Sequence, residues 1–285
     1  MRIRMKKRFL IMVAAAIIPI AMSAQAQITT KKMKLEDFPE KTTKVVLSGN
    51  IFLDGELEEA VKNNWTLSPY EFCTQEEFEK LKGSEDYYFL MTVKGQFRKE
   101  AEPGIEMLSI VKGGKGADKN INKMLEVVTV PLRSSEYPSG REMVFLPALI
   151  DIMQAHVVAS MDKDLNAYGG LGNYCLNIAE AKGMDIVFSE DDIAENVNEG
   201  VMANIFKDKA RAVSEEEADA LMEERTDDTI VSYVVAPYDP QPGSFCYKLM
   251  ICARTHKLYY FRKHKITEST GAGFLTEDLR RICAR

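Results

Sequence analysis

The residues of this 285-residue chain that could do chemistry are few and widely spaced. Three histidines are available, His156, His256 and His264. His156 stands inside an apolar, helix-like run, where a satisfied and partly buried imidazole is the reading. His256 and His264 are eight residues apart at one strand, too far along it to share a metal ion without ligands from elsewhere. Five cysteines form an odd set, so at least one thiol stays unpaired or pairs between chains. Cys246 and Cys252 share the run FCYKLMICA, where an extended backbone holds them roughly 20 Å apart, beyond disulfide reach. No CxxC spacing or zinc pattern is present, no serine sits in a GxSxG elbow, and small buried hydrophobes are the default reading of the thiols. GGKGADKN, residues 113–120, is glycine-rich but lacks the Lys-Ser/Thr ending and the following helix of a phosphate-binding loop, and reads as a flexible hairpin loop. The glutamates of LDGELEEA and TQEEFEKLK fall in first helical turns, where the helix dipole and solvent account for them without acid-base catalysis. No cofactor, metal ion or catalytic residue follows from these patterns.

The most distinctive surface candidate is ARTHKLYYFRKHKI, residues 253–266, a basic and aromatic strand in an acidic chain. Strict alternation places Leu258, Tyr260 and Ile266 on one side, with Tyr259, Phe261, Lys263 and Lys265 on the other. Its lysines suit an outer strand that resists edge-to-edge pairing. Lys257, Tyr259, Phe261, Lys263 and Lys265 form the candidate docking surface, for an anionic envelope polymer or an acidic protein face.

The elements that would position these residues occur twice. The strand VVLS, Val45 to Ser48, is echoed by IVFS, Ile186 to Ser189, at an offset of 141. Acidic helical segments follow, LDGELEEAVKNNW from Leu53 and DDIAENVNEGVMANIF from Asp191, then short strands ending at Cys73 and Val213. Thr74 before QEEFEKLK and Ser214 before EEEADALMEER each have glutamate three residues on, Glu77 and Glu217, which is the capping-box spacing. Apolar strands DYYFLMTVKG and DTIVSYVVAP, a strand pair, and a closing helix beginning at Phe145 or Phe274 complete each copy. Alternation of apolar strands with helices predicts an α/β fold with mixed sheets, built as two tandem βαβαββα modules from an internal duplication. The expected boundaries are residues 27–165 and 166–285, with the Gly- and Asn-rich stretch from Asp162 as the joint.

Residues 1–26 read as a cleaved secretory signal peptide: a basic head, 14 apolar residues from Phe9 to Met22 broken by Pro19, and small residues before cleavage after Ala24 or Ala26. The apolar run is too short to span a bilayer, and no lipid-acceptor cysteine follows it. Removal takes five positive charges and moves the net charge from −6 to −11, which argues against nucleic acid as a partner. No second apolar run of membrane-spanning length is expected in the mature chain.

The order of elements in TQEEFEKLKGSEDYYFLMTVKG, and in VSEEEADALMEERTDDTIVSYVVAP with KLYYFRKHKI, resembles the α/β domain of curli-export lipoproteins and the amino-terminal domain of the Tol-system β-propeller protein. It is also similar to uncharacterised secreted proteins of Gram-negative anaerobes. The resemblance implies an envelope module used for assembly and protein contacts, without defined catalytic residues. The chain lacks the lipid-acceptor cysteine, the pore-forming insertion and the propeller of those families. The expectation is therefore an exported, periplasmic, non-enzymatic binding or assembly protein, secretion being the neighbouring outcome, whose partner is an envelope protein or polymer. Two alternatives stand beside it. One is a small-molecule or lipid-binding protein with an apolar pocket between the modules; the other is an exported hydrolase with a histidine, carboxylate and nucleophile gathered in a pocket.

Overall fold

The structure, a computed structural model, describes residues 21–22, 35–96, 100, 102–162 and 170–284. The expected signal peptide lies outside these residues except for Ala21–Met22, a two-residue strand β1 beside Lys94 and Gly95. The expected module boundary at 165/166 also lies outside them.

Each half builds a five-stranded mixed sheet with the same connectivity. In the first half the strands are β2 (Thr42–Val46), β3 (Tyr70–Cys73), β4 (Tyr87–Gly95), β5 (Ile105–Lys112) and β6 (Leu125–Ser134), in the order β3-β2-β4-β5-β6. In the second half β7 (Asp185–Ser189), β8 (Arg211–Val213), β9 (Thr229–Val235), β10 (Phe245–Cys252) and β11 (Leu258–Lys265) run β8-β7-β9-β10-β11. Both sheets are parallel across the first three strands and antiparallel across the last two junctions. Helices α1 (Ile51–Asn64), α2 (Gln75–Leu81) and α3 (Arg141–Asp162) are matched by α4 (Glu199–Phe206), α5 (Glu215–Glu223) and α6 (Thr276–Cys283). The architecture is the expected tandem βαβαββα arrangement, as an internal duplication would leave it.

The helices start where their caps dictate. Asn50 accepts from the amides of Phe52 and Leu53, and Leu53, Leu57, Ala60 and Val61 then form the buried stripe of α1. Thr74 Oγ1 accepts from Glu77 N at 3.2 Å while Thr74 N donates to Glu77 Oε2 at 2.8 Å, closing the capping box of α2. In the second copy Ser214 Oγ accepts from Glu217 N at 3.2 Å, but the Glu217 carboxylate instead takes Arg211 Nη1 at 2.6 Å. One half of that box is thus exchanged for an ion pair.

The ladders also correct two details of the repeat. Val46 pairs with Cys73, and Ser189 with Val213, so matching the capped helices equates Val46 with Ser189 at an offset of 143 rather than 141. A two-residue slip leaves every side chain on its own face, which is why apolar patterning could not detect it. Further, DDIAE does not open a helix. After a short 3-10 turn at Glu190–Asp192, the Ala194 amide donates to the Phe274 carbonyl at 3.1 Å, and the Phe274 amide donates to Asp192 O at 2.7 Å. The backbone is engaged by a strand-like bridge, and α4 begins only at Glu199 behind its Asn198 cap. Gly273, with φ +99°, permits the contact: a Cβ there would meet Ala194 N at 2.6 Å.

The described part of the expected joint is itself structured. Residues Gly170–Glu180 form a 3-10 helix alongside β11, where Asn177 Nδ2 donates to Leu258 O at 3.0 Å. Helix α3 departs from expectation as well. Its 22 residues, mean hydropathy 1.6 over the best window, are long and apolar enough to cross a membrane. Here that surface is spent on packing: Phe145, Leu146, Leu149, Ile150, Met153 and Val157 are all fully buried.

Replacing Thr74 by Ala, which removes the hydroxyl of the complete capping box, is expected to cost about 1 kcal/mol. Urea denaturation monitored by circular dichroism measures it, through a lowered midpoint at unchanged slope.

Candidate functional site

The largest concentration of buried charge lies where the modules meet, and α3 brings it there. Its first residue, Arg141, donates from Nη1 to Asp192 Oδ1 at 3.0 Å and from Nε to Asp219 Oδ1 at 2.8 Å, with Glu215 Oε2 at 3.6 Å. Ser232 Oγ donates to the second Asp192 oxygen at 2.6 Å. The guanidinium plane lies over the rings of Phe145 and Tyr233, 5.3 and 5.7 Å from their centroids, and those rings stack at 4.2 Å. The Tyr233 hydroxyl completes the seam by donating to the Leu132 carbonyl on β6 at 2.5 Å. One residue along, Glu142 accepts from Arg133 Nη1 at 3.2 Å and from the Gly140 amide at 3.0 Å, so the neighbouring buried charges are also matched.

Burial lowers Arg141's proton affinity, but the Asp192 and Asp219 carboxylates outweigh it and hold the guanidinium above its ordinary range. On the acid side burial wins, and the Asp192, Asp219 and Glu215 carboxyls are all pushed up despite Arg141. Desolvation is therefore the dominant cost of the cluster, and its yield is a fixed geometry between α3 and the second sheet. Farther down α3, Asp151 Oδ2 meets His256 Nδ1 at 2.7 Å, a second tie to the other module. Gln154 accepts from the Thr66 and Leu67 amides at 2.8 and 3.1 Å and donates to Asn64 O at 2.9 Å, fastening the end of α1.

The rim of this junction carries a feature that strand patterning does not reveal. Tyr137, before α3, and Tyr238, between β9 and β10, are 74% and 66% exposed, yet their rings lie 4.8 Å apart. One comes from each module. The Tyr238 amide donates to Ser134 Oγ at 3.1 Å, and Tyr137 adopts φ +48°, a strained conformation for a bulky residue. Neither tyrosine sits in an alternating run, so only their proline-flanked loops, EYPSG and APYDP, could have drawn attention to them.

The docking residues read from the sequence separate into two groups. β11 is an edge strand, as expected, but a β-bulge opposite Met250/Ile251 breaks its alternation. Tyr259 consequently joins Tyr260 in the core cluster with Phe274, while Leu258 shares the other core with Phe261 packed against it. This overturns the grouping of Tyr259 with Phe261, Lys263 and Lys265. Lys257 pairs with Glu180 at 2.6 Å and lies over the Tyr259 ring. Lys263 and Lys265 are exposed, 5.2 and 5.7 Å from the Phe245 centroid, and meet no carboxylate among the described residues. Phe245 begins β10 directly after the loop that carries Tyr238, so these lysines and the tyrosine pair share one end of the second sheet.

The other candidates occupy structural positions. Lys248 and Asp278 form a wholly buried ion pair. Burial pushes the Asp278 carboxyl up, but Lys248, Tyr260 (2.6 Å) and the Leu275 amide (3.0 Å) outweigh it and hold it below its ordinary range. His264 Nε2 faces the Gly271 carbonyl at 3.0 Å. Among the described residues no three His, Cys, Asp or Glu side chains gather as a metal site. Cys73, Cys175, Cys246 and Cys252 are free thiols, and burial pushes Cys73 up to about 11 and Cys246 to about 12. The loop at 113–120 is anchored, its Gly114 amide donating to Lys82 O at 3.1 Å and its Ala117 fully buried. Glu58 and Glu76 pair on the surface with Lys62 and Lys80, and Glu79 pairs with the buried Lys82.

Arg141→Met is expected to destabilise the protein by about 3–5 kcal/mol, because it strands buried carboxylates. Adding Asp192→Asn and Asp219→Asn should restore most of that loss in the same urea titration. His156 supplies a pH test. Burial pushes its imidazole down to about 4, so only the unfolded chain takes up this proton between pH 6.5 and 4. Stability should fall across that window by on the order of 3 kcal/mol, with no contribution from this group above it, and His156→Gln should remove that part.

Comparison of the chain with protein-family models, with curated proteins and with solved structures finds no match.

Proposed function

We propose that the protein is an exported, non-enzymatic docking protein of the bacterial envelope that holds an acidic partner against the composite end of its second sheet. The observation that carries this reading is the Tyr137–Tyr238 pair: two exposed rings, one from each module, in contact with each other at the rim of a charge-locked junction. Exposed aromatic rings on a rigid support are the residues that dominate binding energy at protein interfaces, since little conformational freedom remains to be lost. At the same end of the second sheet Lys263 and Lys265 project from one strand face in a chain of net charge −6, and their charges favour an acidic counterpart. The export-type amino terminus and the resemblance to envelope modules support the location. The ion pairs of Arg141, Lys248 and Asp278 support a structural rather than catalytic use of the buried charges.

The test is retention of envelope components by the immobilised protein at low and moderate salt. An acidic component should be held by the wild type and released by about 10-fold or more in Tyr137→Gly/Tyr238→Ala, in which glycine also relieves the left-handed backbone. Lys263→Glu/Lys265→Glu should weaken retention and flatten its salt dependence. Retention that is equal in wild type, both double variants and the remote control Lys80→Glu would sink the proposal.

A further inference from the structure

On α3, His156 and Ser160 stand one turn apart on a buried side of the helix. Neither His156 Nε2 nor Ser160 Oγ has a hydrogen-bond partner among the described residues. A buried polar atom left unsatisfied costs about 1–3 kcal/mol, and native folds retain few of them. His156, 1% exposed, lines a cavity of about 180 Å³ between the end of α3 and the 3-10 helix, together with Ala159, Gly170, Asn173, Tyr174 and Asn177. The Tyr174 hydroxyl lies 3.3 Å from His156 Nδ1. Asn177 spends its Nδ2 on the Leu258 carbonyl, which leaves its carbonyl oxygen for another donor, and Asn173 is exposed.

Every lining side chain among the described residues is uncharged at neutral pH, because burial keeps the imidazole neutral. Among the described lining residues an anion would find no cation and a cation no carboxylate, while a wholly apolar ligand would cover amides and a phenol without satisfying them. A ring of hydroxyl groups, each both donor and acceptor, matches the phenol and the carboxamides, and the Tyr174 ring offers an apolar face. At about 180 Å³ the cavity has room for a small polar molecule larger than a single water. We propose that this cavity binds one neutral saccharide unit, with Asn173, Tyr174 and Asn177 bonding its hydroxyls above His156. The site lies beside Leu258, at the opposite end of β11 from Lys263 and Lys265, and stands independently of the docking reading.

The test is a titration of the ¹⁵N-labelled full chain with glucose and N-acetylglucosamine, with glucuronate and glucosamine as charged comparators. The expected result is saturable displacement of the Asn173, Tyr174 and Asn177 amide signals by a neutral sugar. Asn173→Ala and Tyr174→Phe should each weaken that sugar about 3- to 10-fold, one neutral hydrogen bond's worth, with melting temperature essentially unchanged for the exposed Asn173→Ala. Lys263→Glu/Lys265→Glu should leave it unaltered. Three results overturn the proposal: no saturable displacement in the folded wild type, affinity that neither cavity variant changes, or tighter binding of a charged comparator.

Discussion

A helix that is apolar around most of its circumference must be covered on more than one side, and α3 imposes that requirement on everything near it. Leu149, Ile150, Met153 and Val157 are buried, and its neighbours include α1 and β6 from its own half. Phe145 and Arg141 reach Tyr233, Asp192 and Asp219 in the other. The closing helix of the first module thus also serves as packing for the second sheet. Charge enters as the condition of that arrangement: an arginine placed at the seam must meet carboxylates there, since it cannot lose its proton.

The duplicated halves have diverged where each meets this demand. The ladder equates Lys248 on β10 with Leu108 on β5, so one copy fills the position with a methyl-rich side chain and the other with a buried ammonium matched to Asp278. Likewise the segment after β2 turns into α1 behind Asn50, whereas the segment after β7 sends Asp192 inward to Arg141 before α4 begins. Identical topology has been kept while the polar interior was rewritten. That is what packing predicts when one copy has the other module's closing helix, α3, against its second helix.

Much of the fold was legible in the sequence because it rests on local rules. Thr74 with Glu77 and Ser214 with Glu217 announced helix starts through backbone amides that any helix leaves free. The apolar runs DYYFLMTVKG and DTIVSYVVAP became β4 and β9, buried along most of their length. Three things were not legible. The bulge that turns Tyr259 into the core depends on cross-strand hydrogen bonding, not on its own neighbours in sequence. DDIAE has a helical composition, and only contact with Gly273–Phe274, about 80 residues away, diverts it. Tyr137 and Tyr238 acquire meaning only when two loops a hundred residues apart come together. The candidate sites follow the same division: the lysines of β11 were readable from composition, whereas the tyrosine pair and the His156 cavity are products of tertiary approach.

The position of α3 also bears on how the chain comes into being. Synthesis delivers the first sheet and α3 before β9 and α5, so a nascent first half carries one flank of a long apolar helix without its cover. Between the appearance of Asp162 and the arrival of Asp219 and Tyr233 that flank of α3 stands without its cover, so its burial waits on the synthesis of the second half.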